Sequence, residues 1–179
     1  MDLPYTICFC GFEQRVLMLH RTFPPNAQLW NGLGGSIEPD ETPLVSVQRE
    51  IQEEAGIDLR EASSLFFAGI VTWGQVGHEP ARGMYAFLAR LSRQQAEHVS
   101  SLNTPEGLVA WKPLEWVCDP HNRAVVSNIP RFLPSMLEAH VPYEYFCEYD
   151  DEKFPTDSFR RLVIRPLPSH IVLNDCEGW

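Results

Sequence analysis

The first part of the chain is written in short apolar runs. Residues 5–10 and 15–20 are apolar and rich in β-formers, and Gly11, Phe12, Glu13 and Gln14 between them predict a hairpin connection. Residues 21–28 carry Pro24, Pro25 and Asn26 and predict a loop. The period then changes. Leu44, Val47, Ile51 and Ala55 recur at helical spacing and predict one apolar stripe. Thr42 is placed to cap this helix, Pro43 suits its first position, and Gly56 is a stop signal. Residues 65–73 and 84–91 predict two strands around a loop at 74–82. Residues 92–105 are polar, with a helical part, 107–111 predict a short strand, and 113–117 a turn or short helix. Residues 127–140 predict a helix that kinks or starts late at Pro134. Residues 142–149 alternate aromatic and acidic side chains, predicting a strand with one buried face, and 159–164 predict a last strand. A single domain over residues 1–165 and a tail over 166–179 complete this outline.

The polar side of the first helix changes the picture. Glu50, Glu53 and Glu54 share a face centred roughly 110° from the apolar stripe, at about 100° per residue. Two like charges about 4 Å apart repel by roughly 4 kcal/mol at an effective dielectric of 20. Such carboxylates protonate, point apart into water, or bind a cation. A solvated acidic face explains the three glutamates taken alone. Two facts favour a cation. Gly34 and Gly35 precede the helix, as needed where backbone turns tightly or approaches a ligand closely. The donors are hard oxygens without a matching His or Cys set, which suits Mg²⁺ or Mn²⁺ rather than zinc.

Residues 35–57 match in full the pattern G-x5-E-x7-R-E-U-x-E-E-x-G-U, with U a bulky aliphatic residue. Gly35, Glu41, Arg49, Glu50, Ile51, Glu53, Glu54, Gly56 and Ile57 fill every fixed position. The stretch resembles the Nudix box. That resemblance implies an α/β/α sandwich with a mixed β-sheet and a loop-helix-loop metal site. It also implies hydrolysis of a nucleoside diphosphate linked to another group. By the same resemblance the Gly34 carbonyl, Glu50, Glu53 and Glu54 hold Mg²⁺. Glu53 takes the proton of the attacking water, Arg49 orients a box glutamate, and Gly35, Glu41 and Gly56 shape the loop. Glu106 to Leu114 is similar to the E-x4-W-x-x-L segment of MutT-like members, which implies that Glu106 joins the metals or serves as the base.

Residues 29–41 resemble the oxidised-purine nucleoside triphosphatases of the MutT type, whose matching asparagine, here Asn31, contacts the base. Animal members of that subgroup carry a Trp and paired aspartates near residues 126–128, where this chain offers Asn128 and no aspartates. Phe23, Trp30 and Trp73 are candidate stacking residues, with packing as the plainer role of each. Hydrolysis of a triphosphate such as 8-oxo-dGTP to monophosphate and pyrophosphate is the implied activity. ADP-ribose, a nucleotide sugar or a dinucleotide are other substrates, and a non-catalytic nucleotide sensor is the rival of another class.

Bulk properties narrow the partners. At 179 residues, 44% hydrophobic and 21% charged, the chain has a globular composition. A net charge of −10 without a basic run argues against a nucleic-acid polymer as partner and leaves a small nucleotide. No signal peptide and no long apolar run are present, so a soluble, cytoplasmic protein away from membranes is expected. Cys8, Cys10, Cys118, Cys147 and Cys176 are odd in number and unpaired in spacing, which argues against a disulfide framework or a zinc site.

Overall fold

In the computed structural model, which describes residues 1–151 and 158–171, the first strand sorts its side chains onto two faces. β1 (Asp2–Phe12) sends Cys8 and Cys10 into one core and Ile7 and Phe9 into another. Around it lie β2 (Arg15–Arg21), β3 (Trp30–Asn31), β4 (Ser64–Gln75), β5 (Arg82–Arg90), β6 (Ser101–Thr104), β7 (Gly107–Pro113), β8 (Tyr143–Tyr149) and β9 (Phe159–Pro166). They form one sheet in the order β6-β7-β2-β1-β5-β4-β8-β9, with β3 paired to β2. The β1–β5 and β4–β8 pairs are parallel and the rest antiparallel, so the sheet is mixed.

A helix covers each face. α1 (Pro43–Ala55) starts where the Thr42 hydroxyl accepts from the Val45 N–H at 3.3 Å. It stops where Gly56 turns left-handed at φ 68°. Val47, Ile51 and Ala55 bury against Cys8, Cys10, Leu17, Leu19 and Ile70. Full burial of a side chain such as Ile51 is worth about 1.5–3 kcal/mol. The short α2 (Arg93–His98) carries a Ser92–Gln95 capping box, and α3 (Leu114–Val117) follows β7. α4 (Ile129–Glu138) continues through Pro134 and lays Ile129, Phe132, Leu133 and Met136 on the opposite core, with Ile7, Phe9, Val71 and Tyr145. The layers are helix, sheet, helix. No helix among the described residues is long and apolar enough to cross a membrane.

β8 departs from the expected single buried face. Tyr145, Cys147 and Tyr149 bury in the α4-side core, yet Glu144 and Glu148 on the other face are also buried. Antiparallel β9 sets an arginine opposite each acid. Arg165 Nε donates to Glu144 at 2.7 Å, the Thr72 hydroxyl donates to the same carboxylate at 2.7 Å, and Arg161 pairs with Glu148. A charge partnered in this way tolerates burial that an unpaired one would not. Past β9, Leu167 and Ile171 pack on the α1-side core. The end of the expected tail, residues 172–179 with Cys176, lies outside the described residues. Cys8, Cys10, Cys118 and Cys147 are free thiols.

Candidate active site

One arginine ties the glycine loop to the helix. Arg49 Nε and Nη2 donate to the two Glu41 oxygens at 2.7 and 2.9 Å, a bidentate pair. Nη2 also donates to the Ser36 carbonyl at 3.0 Å, and Nη1 reaches Glu50 at 2.9 Å and Glu53 at 3.3 Å. The Arg49 guanidinium holds the Glu41 carboxyl down at about 2. Arg49 is raised in turn, first by its bond to Glu41. Arg49 thus ties the loop to the carboxylate face of α1.

Gly34 sits at φ 131°, and a Cβ there would lie 2.5 Å from the Thr6 carbonyl oxygen. Its N–H donates to Glu54 Oε2 at 2.9 Å. A Cβ on Gly35 would lie 2.5 Å from Glu50 Oε1, so the loop runs directly against that carboxylate. Glu54 is only 5% exposed, and burial pushes its carboxyl up to about 8. Its Oε1 is buried with no hydrogen-bond partner. Burial raises the Glu50 carboxyl as well. Glu53 is 61% exposed beside Arg49, while Glu106, 50% exposed, faces Arg21 at 3.6 Å. The acids Glu50, Glu54 and Glu106 act on one another electrostatically. Among the described residues no three carboxylates, histidines or cysteines converge closely enough to hold an ion as they stand. Glu50 and Glu53 are drawn to Arg49 and Glu106 to Arg21. The orphaned buried oxygen of Glu54 and the all-oxygen donor set fit a hard divalent cation.

A cavity of about 700 Å³ opens from this point. Gly34, Gly35, Glu50 and Glu106 line it together with Arg21, Arg49 and Arg82. Asn31, Ser127 and Asn128 also line it, as do the larger side chains Trp73, Met84, Phe132 and Tyr149. Asn128 precedes α4 but makes no capping bond; its side chain bonds Cys147 and Tyr149 instead. The Thr6 hydroxyl is buried at the cavity wall without a partner. Asn31 Oδ1 accepts from the Gly32 N–H at 3.0 Å.

Strand alternation turns Trp30 away from Asn31. It packs edge-on to Trp116, against His20, and under Lys112 Nζ at 3.8 Å. Phe23 is 59% exposed and lies outside the cavity lining. Among the cavity residues, Thr6, Arg21, Met84, Phe132 and Tyr149 carry no motif. Thr6 has one faint signal, a hydroxyl inside an apolar run, and Tyr149 has the aromatic alternation of its strand.

A mixed sheet between two helices, with a glycine loop feeding a carboxylate-bearing helix beside a deep cavity, defines a MutT-like α/β protein. The NUDIX domain matches residues 4–134, and the chain belongs to that family. The fold is similar to the mutator MutT protein from Bacillus halodurans, with TM-score 0.64 and 20% identity, covering 92% of this chain and 98% of that one. It is similar also to the NUDIX domain of Shewanella oneidensis NrtR solved with ADP ribose, with TM-score 0.58 and 18% identity over 77% of this chain and 87% of that one. Over 53 residues the chain is 43% identical to the dihydroneopterin triphosphate diphosphatase of Haemophilus influenzae. That stretch is 30% of this chain and 32% of the relative, so the match spans about a third of the relative's length.

Proposed function

We propose that the chain is a pyrophosphohydrolase that cleaves a nucleoside triphosphate between the α and β phosphates, giving a monophosphate and pyrophosphate. The observation that carries this reading is one cavity lined both by the carboxylates Glu50 and Glu106 beside the glycine loop and by the neutral amides Asn31 and Asn128 with aromatic side chains. The carboxylates suit cation-bridged phosphates, and the amides and aromatic side chains suit the edge and faces of an uncharged heteroaromatic base.

Mg²⁺ is the proposed cofactor, with Mn²⁺ able to replace it, and Gly34, Glu50, Glu53, Glu54 and Glu106 would hold it. Bound there, the cation supplies charge neutralisation at the phosphates and a lowered pKa for the attacking water. Arg49 orients Glu50 and Glu53 through the bonds described above. One glutamate takes the proton of the water, and Glu53 and Glu106 are the two candidates. The position of Glu106 on the cavity wall favours it, since Glu53 lies outside the lining. Gly35, Glu41 and Gly56 set the loop's shape, and Arg21 is positioned to face a phosphate.

An oxidised or otherwise modified purine, as in 8-oxo-dGTP, is the proposed base, read by Asn31 and Asn128 with the Thr6 hydroxyl beside them. A reduced pterin triphosphate or ADP-ribose is the second reading. The pterin is favoured by the similarity to a protein named for dihydroneopterin triphosphate, and ADP-ribose by a similar fold solved with that ligand. The test is phosphate and pyrophosphate release with Mg²⁺ from normal and 8-oxo purine triphosphates, dihydroneopterin triphosphate, ADP-ribose and nucleotide sugars, with Glu54→Gln as the blank. Preferential pyrophosphate release from modified purine triphosphates supports the first reading. Turnover of the pterin or ADP-ribose alone replaces it with the second. Nucleotide binding without turnover of anything in the panel would make the chain a sensor.

A further inference from the structure

A second groove, of about 620 Å³, lies at the start of α4. Arg123 and Arg131 contribute its charged groups and His121 an imidazole, and no carboxylate lines it among the described residues. Such a grouping is unusual in a chain of net charge −10. Six arginines elsewhere, Arg21, Arg49, Arg60, Arg93, Arg161 and Arg165, each pair with a carboxylate, while Arg15, Arg82, Arg90 and Arg160 are exposed without an ion pair among the described residues. Among the described residues no carboxylate pairs with His121, Arg123 or Arg131.

Arg131 is also held in place. Its Nη2 donates to the Pro120 carbonyl at 3.1 Å, and its guanidinium lies 5.6 Å from the centre of the Phe159 ring. That leaves the rest of its planar donor fork free for a ligand, at a reduced entropy cost. The groove adjoins the substrate cavity. Ser127 lines both, and Val125 faces the groove where its neighbour Val126 faces the cavity.

We propose that this groove is a binding site for a phosphate-type anion, separate from the carboxylates of the active site. Arg123 and Arg131 supply the charge-assisted hydrogen bonds and His121 and Ser127 further polar contacts. A free anion and the distal phosphoryl group of an elongated substrate share this chemistry.

The test uses the full chain in EDTA, titrated with inorganic pyrophosphate by calorimetry at low salt, so turnover plays no part and failure leaves the hydrolase reading untouched. The wild type is expected to bind one equivalent saturably. Arg123→Gln/Arg131→Gln is expected to weaken binding by about tenfold or more, the range for losing charge-assisted bonds. Arg21→Gln, which removes one of the cavity's arginines, the one facing Glu106, is expected to leave it unchanged. Arg123→Gln alone, at an exposed position, weakens binding in the same direction and guards against a double variant that fails to fold. No saturable binding, equal affinity in the double variant, or loss in Arg21→Gln alone would overturn the proposal. With the loss in the double variant established, the KM values identify the source. A KM raised for a dinucleoside polyphosphate but not for a nucleoside triphosphate upholds the groove as a substrate subsite, and equal KM values uphold it as a site for a free anion.

Discussion

Replacing Glu54 with Gln keeps the shape of the side chain and removes its charge, so it isolates what burying that charge costs. In the folded chain one Glu54 oxygen accepts from Gly34 at 2.9 Å and the other is buried without a partner. The carboxyl is pushed up from 4.5 to about 8 by burial. A folded-state value above the unfolded one means that the folded chain holds a proton the unfolded chain has already released. Stability therefore falls as pH rises from about 4.5 to about 8. At about 1.4 kcal/mol per pH unit the ceiling is about 5 kcal/mol. Relaxation and water penetration reduce it to about 2 kcal/mol. In a chain of this size that corresponds to roughly 4–8 °C in Tm. The assay is thermal unfolding in EDTA of both proteins at about pH 5 and about pH 8. The wild type should lose about 4–8 °C more than Glu54→Gln between the two conditions. Added Mg²⁺ should raise the wild-type Tm at the higher pH, where a cation replaces the proton, and raise the variant's less. Parallel pH dependence of the two proteins would refute the buried-charge argument. Equal stabilisation by Mg²⁺ would remove Glu54 from the cation site.

Three further outcomes are expected. If Glu106 takes the proton of the water, Glu106→Gln lowers kcat by about 10²–10⁴-fold and Glu53→Gln by less; the reverse order in steady-state kinetics returns that role to Glu53. The Arg49 pair holds Glu41 at about 2, so its contribution to stability is complete above about 4.5 and lost as pH falls through about 2. Glu41→Gln should accordingly lower Tm at neutral pH and flatten the acid limb of the stability profile. Glu144→Ala removes the buried acceptor of Arg165 and Thr72, leaves Arg165 only Glu79 at 3.5 Å, and is expected to cost about 1–3 kcal/mol in urea unfolding, with m unchanged.

Local rules made much of this chain legible. The helical spacing of Leu44, Val47, Ile51 and Ala55 and the signals at Thr42, Pro43 and Gly56 marked α1 to the residue. The fixed spacing from Gly35 to Ile57 identified the family, because a loop that must meet a carboxylate helix needs particular residue types at the points where they meet. β8 was legible as a strand but not in its burial. The arginines opposite Glu144 and Glu148 stand on β9, and register between strands is a tertiary quantity.

By itself, then, the sequence determined α1 and most of the strands, though not the short β3 or β6, and which glutamates share one helical face. Those depend on neighbours within a few positions, where the 3.6 and 2.0 periods act. Only the tertiary structure decided what surrounds them. It brought Thr6, Asn31, Trp73, Asn128, Phe132 and Tyr149 around one cavity and left Phe23 outside it. It buried one oxygen of Glu54 without a partner while leaving Glu53 in water, although the two are adjacent in the chain. It also gathered His121, Arg123 and Arg131 into a basic groove that no run of charge announces. Burial, desolvation and charge partnership are set by distances through space, and contacts made across strands and loops leave no periodic trace in the order of residues.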